Sequence, residues 1–100
     1  MADSKFDPII HAPNRLQICA LLSPLDQVEF RVIQEELDVS DSVLSKHIKQ
    51  LEDVGYIKQK KNKVNGRARR WFHLTAKGRS AFELHVEELK RIVSVMNANG

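Results

Sequence analysis

Between Ser40 and Leu74 the apolar residues change their period at one glycine, and no other feature narrows the possible folds as much. Ser40 is a good N-cap, and Asp41 complements the helix dipole in the first turn. Leu44, Ile48 and Leu51 then recur at i, i+4 and i+7, which predicts a helix over 41–54. Gly55 supplies a left-handed stop. Beyond it the period falls to two. Residues 56–61 and 69–74 are strand candidates, with Arg70, Phe72 and Leu74 alternating against Arg69, Trp71 and His73. The connection 62–68 contains Asn65-Gly66, a strong turn signal because both residues tolerate positive φ.

The flanking segments are helical. Leu16, Cys19 and Ala20 follow helical spacing, so 9–22 reads as a helix that Pro24 stops. Val28 and Phe30 alternate with Glu29, suggesting one brief strand over 27–30, and Ile33 and Leu37 mark a short helix over 31–37. Residues 1–7 read as a frayed start. Thr75 caps a last long helix that continues to about Met96. The expected fold is mainly α with a small β-hairpin, in the order helix, strand, helix, helix, strand, strand, helix. One hundred residues suit a single domain over 1–100 with one modest core.

The net charge of +3 hides a strong asymmetry. Lys58, Lys60, Lys61, Lys63, Arg67, Arg69, Arg70, Lys77 and Arg79 fall within one stretch that contains no acid. All thirteen carboxylates face the remaining seven Lys and Arg, so the rest of the chain is net negative. Segregation of this kind points to a polyanion, with nucleic acid ahead of an anionic membrane surface.

Two surfaces fit a duplex. With Leu44, Ile48 and Leu51 turned inward, Ser42, Lys46 and Lys49 project from the opposite side of the helix, Ser45 lies on its flank and Asp41 in its first turn. The major groove admits one helix, and Lys and Ser can reach base edges or phosphates there. Around the Gly66 turn, Lys60, Lys61, Lys63, Asn65, Arg67, Arg69 and Arg70 would repel one another with no acid among them, and make sense along phosphates or in a minor groove. Trp71 is expected to steady the strand pair, and Phe72 and Leu74 to pack on the helix. A third surface is apolar. Phe82, Val86, Leu89, Val93 and Met96, with His85 and Ile92 in an overlapping series, form a stripe broad for so small a domain. With Ile9 and Ile10 of the first helix, it suggests a two-fold homodimer interface.

Enzyme motifs are missing: no phosphate loop, no nucleophile elbow, no His-Glu-x-x-His and no cysteine pair. No catalytic residue, cofactor or metal ligand is therefore assigned. Glu35/Glu36 and Glu87/Glu88 read as solvated, His85 and Glu88 as a solvent-facing pair, and Cys19 as a core residue. No apolar run is long enough to cross a membrane and the start is too polar for a signal peptide, so a cytoplasmic protein is expected.

These residues resemble the winged helix-turn-helix regulators of the MarR and ArsR families, in particular a minimal single-domain branch. The resemblance lies in Asn14-Arg15-Leu16-Gln17-Ile18, in 43–52 followed by Gly55-Tyr56-Ile57, in Asn65-Gly66-Arg67, and in 74–79. It covers about 9–95. It implies a homodimeric transcriptional regulator of double-stranded DNA, more often a repressor, with 41–54 as recognition helix and 62–69 as wing. The stretch 35–41 lacks the cysteines usual in ArsR-type metal sensors, and the extra C-terminal helices of longer MarR-type proteins are absent, so a small-molecule effector is left open. Two alternatives stay open on the residues alone: a winged helix used for protein contact, and a single-strand binder.

Overall fold

The computed structural model describes residues 6–99. Within them lie α1 (Pro13–Leu22), β1 (Val28–Glu29), α2 (Phe30–Leu37), α3 (Asp41–Asp53), β2 (Ile57–Val64), β3 (Arg67–Leu74) and α4 (Ala76–Asn99). The strands form one antiparallel sheet with β3 between β1 and β2. The fold is thus mainly helical with a β-hairpin, as the sequence suggests. The core gathers Ile18 and Leu22 of α1, Ile33 of α2, Leu44, Ile48 and Leu51 of α3, Ile57 of β2 and Phe72 of β3. Cys19 is buried among them, and burial together with the Asp7 carboxylate pushes its thiol up to about 12.

Two boundaries differ from expectation for local reasons. The first helix begins at Pro13 instead of residue 9. The Asp7 carboxylate takes the backbone N–H groups of Ile9 (2.8 Å) and Ile10 (3.1 Å), which closes a separate turn before the helix. Pro13 then occupies the start of α1, where no N–H is needed. The hairpin is also longer, with a two-residue turn in place of a seven-residue connection. Asn65 (φ 51°) and Gly66 (φ 79°) both adopt the left-handed conformation, and pairing runs from Val64↔Arg67 to Ile57↔Leu74. Its outer half extends past the core, so no apolar alternation marks it.

The N-terminal segment is tied down where fraying was expected, at least from Phe6 onward; residues 1–5 lie outside the described residues. Tyr56 Oη donates to Asp7, and the Asp7 N–H donates to Nδ1 of His85 on α4 (3.3 Å). His11 Nδ1 lies 3.3 Å from His85 Nε2, and Phe6 stacks on the His11 ring at 4.3 Å. His85 is therefore fully buried and Glu88, beside it and bonded to Arg91, nearly so. The pair is not solvent-facing. The closed N-terminal turn packs on His85.

One junction joins α3, the hairpin and α4. The Thr75 N–H donates to the Tyr56 carbonyl (3.0 Å), its hydroxyl donates to the Gly55 carbonyl (2.6 Å), and the same hydroxyl accepts from Gly78 N–H (3.0 Å) as the cap of α4. Gly78 is buried against this carbonyl so closely that a Cβ would sit 2.0 Å from the Tyr56 oxygen. Gly66 has open space around it. Replacing Gly78 with Ala should cost about 2–3 kcal/mol by overpacking and lower the thermal midpoint by roughly 10–20 °C, whereas Gly66→Ala should cost about 1 kcal/mol through backbone strain alone. Thermal unfolding followed by circular dichroism of both variants checks this ordering.

His85 also makes stability depend on pH. Burial and the neighbouring His11 hold its ring below the ordinary histidine value, against the pull of the Asp7 carboxylate. An unfolded chain takes up that proton at about pH 6.5, while the native state resists it, so stability should fall as pH drops below that point. The urea midpoint should be lower at about pH 5.5 than at about pH 7.5, and a level midpoint across the interval would contradict a neutral, buried His85.

Candidate nucleic-acid interface

The turn between α2 and α3 holds the proposed reading helix at its start. Asp38 takes a left-handed conformation (φ 54°) to end α2, and Ser40 Oγ accepts from Val43 N–H at 3.3 Å. The Gln34 side-chain amide donates to the Val39 carbonyl (3.3 Å) and to the Asp41 carboxylate, binding α2 to the first turn of α3. Asp41 is thus exposed but engaged within the protein. Ser42, Ser45, Lys46 and Lys49 are exposed, as is Val43, which sequence periodicity passes over because it is apolar. Lys49 lies 3.4 Å from Asp53 in a solvent-exposed i,i+4 pair. Such pairs contribute little, so Lys49 remains available to another anion.

On its other flank α3 meets α1 through polar groups. Arg15 Nη1 donates to Gln50 Oε1 (2.5 Å) and approaches His47 Nδ1 at 3.1 Å, and Asn14 Nδ2 lies 3.3 Å from His47 Nε2. Burial, and then the Arg15 guanidinium, hold the His47 ring below the ordinary histidine value, although Gln50 acts the other way. Asn14, Arg15, His47 and Gln50 were not among the sequence-predicted site residues. Asn14 and Arg15 are 33 and 32 positions from His47, so helical spacing could not bring them together.

The hairpin divides its cations into two groups. Lys60, Lys61, Lys63, Asn65 and Arg67 are exposed, and none of these cations forms an ion pair among the described residues. The alternating register puts Lys60 and Arg67 on one face and Lys61 and Lys63 on the other, so the outer half is positive on both sides. Arg69 and Arg70 are different. Arg69 Nη1 donates to both carboxylate oxygens of Glu29 at 2.9 and 3.1 Å, and the Arg70 guanidinium lies 4.2 Å from the centre of the Phe30 ring. The expectation that no acid pairs with this segment therefore fails at Arg69. Glu29 is 40 positions away and reaches it because β1 pairs with β3. Trp71 does steady the strand pair, donating from Nε1 to Asn62 Oδ1 at 3.2 Å.

The apolar stripe of α4 also divides. His85 is buried inside the protomer, and Ile10 of the N-terminal turn is buried in the core, so neither is available at the surface. Phe82 packs on the core, while Ile9, Val86, Leu89 and Ile92 are half-buried. Val93 and Met96 are exposed at 54% and 67%. Leu84 and Val95, on another side of the helix and absent from both sequence series, are also exposed. Among the described residues no group of side chains is arranged to hold a metal, and no helix is long and apolar enough to cross a membrane.

Known proteins share this fold. The winged helix DNA-binding domain family matches residues 14–93. An uncharacterised protein of Methanocaldococcus jannaschii is 34% identical over 84 residues, covering 84% of this chain and 91% of that protein. An uncharacterised HTH-type transcriptional regulator of Bacillus subtilis, YdgJ, is 27% identical over 86 residues, 86% of this chain but only 52% of its own length. A transcriptional regulator homologue from Pyrococcus horikoshii OT3 superimposes with a TM-score of 0.81 at 30% identity, over 88% of this chain and 87% of that one. MarR has the same fold with a TM-score of 0.77 at 13% identity, over 91% of this chain and 66% of its own. With a capped helix presenting serines and lysines, a cationic hairpin behind it and this match along most of its length, the chain belongs to the winged helix DNA-binding domain family and has the fold of MarR-type transcriptional regulators.

Proposed function

We propose that the protein is a sequence-specific regulator of transcription that binds double-stranded DNA as a homodimer and represses by occupying a promoter. The observation that carries this reading is the pairing of two exposed surfaces in one fold. The outward face of α3 bears Ser42, Val43, Ser45, Lys46 and Lys49, and the hairpin tip bears Lys60, Lys61, Lys63 and Arg67 without internal ion pairs. α3 lies in the major groove, where Ser and Lys read base edges and Val43 suits a thymine methyl group. Asp41 and Asn65 stand at the ends of these surfaces, and the tip follows phosphates or the minor groove. Arg69 and Arg70 set the hairpin's direction and make secondary DNA contacts at most. The whole chain works as one cytoplasmic unit.

Selection of bound duplexes from a random pool tests the reading. A two-fold-symmetric consensus is expected, with half-sites about one DNA turn apart. Absence of any duplex preference would overturn it. The two surfaces should then separate by substitution. Lys46→Ala should cost about 1–3 kcal/mol at the selected site and much less on random duplex. Arg67→Ala should weaken both alike and flatten the slope of log K against log salt by about 1. Binding titrations on both duplexes at several salt concentrations distinguish them.

The outer part of α4 supports dimerisation. The helix is about 36 Å long at 1.5 Å per residue, and residues 93–97 near its end are all exposed. Leu89, Ile92, Val93 and Met96, supported by Phe82, Val86 and Ile9, form an apolar surface that a second copy would cover, each large side chain contributing about 1.5–3 kcal/mol when fully buried. Two weak half-sites then act together through effective concentration. Val93 is exposed in the protomer, so Val93→Glu should leave the fold intact by circular dichroism while converting a dimer to a monomer in sedimentation. A wild-type protein that sediments as a monomer and still binds its selected site fully would refute the interface.

A further inference from the structure

His47 belongs to the proposed reading helix yet points neither into the apolar core nor directly away from the protein. It is half-buried on the flank of α3 turned toward α1, and both ring nitrogens have partners. A guanidinium only donates, so His47 Nδ1 accepts from Arg15, and the neutral ring carries its proton on Nε2. With Nε2 protonated, the Asn14 amide, whose Nδ2 lies 3.3 Å from it, turns over to offer its oxygen to that proton. The Nη1 group of Arg15 that meets His47 also donates to Gln50, three residues further along α3. Two groups on one face of the reading helix therefore share one guanidinium.

Arg15 is itself held. Its Nε donates to the Ile9 carbonyl at 2.5 Å. Ile9 N–H is bound by the Asp7 carboxylate, which also accepts from Tyr56, and Asp7 N–H is bound by His85 on α4. An unbroken series of hydrogen-bonded groups thus runs from α4 through the N-terminal turn to α3, with Arg15 as its final link. We propose that Arg15 is a positioning residue for the reading helix, and that its bond to His47 makes the sequence preference of DNA binding sensitive to acid; this rests on the DNA-binding reading above.

The sign follows from the groups around His47. Arg15 from α1 and Lys46 on α3 are the charged groups that act on it, and both are cations, while Asn14 and Gln50 are neutral. At neutral pH the uncharged ring is favoured and the link is closed. A proton on Nδ1 turns the accepted bond into a contact between two cations 3.1 Å apart, and the link opens. Freed from Arg15, the flank of α3 loses one of its restraints, and the base contacts of Ser45 and Lys46 lose fixed geometry. The released imidazolium adds positive charge beside phosphates, which supports binding irrespective of sequence. Acid should therefore erode discrimination between sites while sparing affinity for DNA as such.

Fluorescence anisotropy on two labelled duplexes tests this: one selected by the protein from a random pool at about pH 8, the other a scrambled duplex of equal length. The ratio of their dissociation constants is measured at about pH 8 and about pH 5.5, or the lowest pH at which circular dichroism shows the fold intact. The wild-type ratio should fall about three- to fivefold at about pH 5.5 if His47 titrates one pH unit lower in the specific complex than in the non-specific one, about tenfold being the limit well below both values. His47→Gln keeps an acceptor for Arg15 and cannot titrate, so its ratio should stay high at both pH values. Arg15→Gln should show a low ratio at both, and Arg15→Lys should not restore it, because an ammonium lacks the fork that spans Ile9, His47 and Gln50. A wild-type ratio independent of pH, or a fall in His47→Gln equal to the wild-type fall, overturns the proposal. Failure of wild-type protein to bind either duplex at any pH overturns the DNA-binding reading instead. The link is then decided on DNA-free protein by nuclear magnetic resonance of the ring nitrogens: titration of His47 below the ordinary histidine range, moving upward in Arg15→Gln, supports it, and titration unaffected by that substitution overturns it.

Discussion

The relation between α3, the hairpin and α4 depends on the contact of Gly55 and Tyr56 with Thr75 and Gly78. Two backbone carbonyls at the end of α3 would be left unsatisfied where the chain turns into β2, and the Thr75 main chain and hydroxyl satisfy them. The same hydroxyl caps α4, so one side chain closes one element and opens another. Only a residue without Cβ lets α4 approach the Tyr56 carbonyl this closely. The exposed face of α3 and the hairpin are both placed relative to this joint.

The hairpin shows how a charged protrusion keeps a direction without a core. Its outer pairs bury nothing, and backbone ladder bonds alone leave a two-stranded ribbon marginal. Neighbouring side chains anchor its base on opposite faces of the sheet: Arg69 on Glu29, and Arg70 against Phe30 and, at 5.7 Å, Phe72. Charge on the strand therefore has two uses. Cations near the base fix the ribbon to β1 and α2, and those beyond it form no ion pair among the described residues.

A similar division runs along α4. Its first half, through Gly78, Ala81, Phe82 and His85, closes the protomer, and its second half leaves the core behind with apolar residues exposed. Of this 24-residue helix the protomer leaves Val93, Val95 and Met96 exposed. His85 stands at the boundary. It is buried only because the N-terminal turn folds back on it through Asp7, His11 and Phe6, and it takes a hydrogen bond from a residue 78 positions away.

Much of the fold and of the candidate site was legible because the signals for it are local. Ser40, Gly55, Asn65-Gly66 and Thr75 each act within a few residues by capping a helix or admitting a positive φ, and Leu44, Ile48 and Leu51 define a helix face by spacing alone. The same spacing turned Ser42, Ser45, Lys46 and Lys49 outward, where the structure has them. Strand ends were not legible where apolar alternation stops at a protruding ribbon, nor the start of α1, which a carboxylate and a proline decide together. Tertiary structure alone determined which charges are free. Arg67 and Arg69 look alike in the chain, yet strand pairing brings Glu29 to Arg69 and, among the described residues, no acid to Arg67. His85 and Glu88 look solvent-facing on a helix yet are buried, and His47 looks incidental; the turn before α1 packs on His85, and α1 packs on His47. Local propensity acts along the backbone over a turn or two, whereas pairing and desolvation depend on distances that exist only after the core has closed.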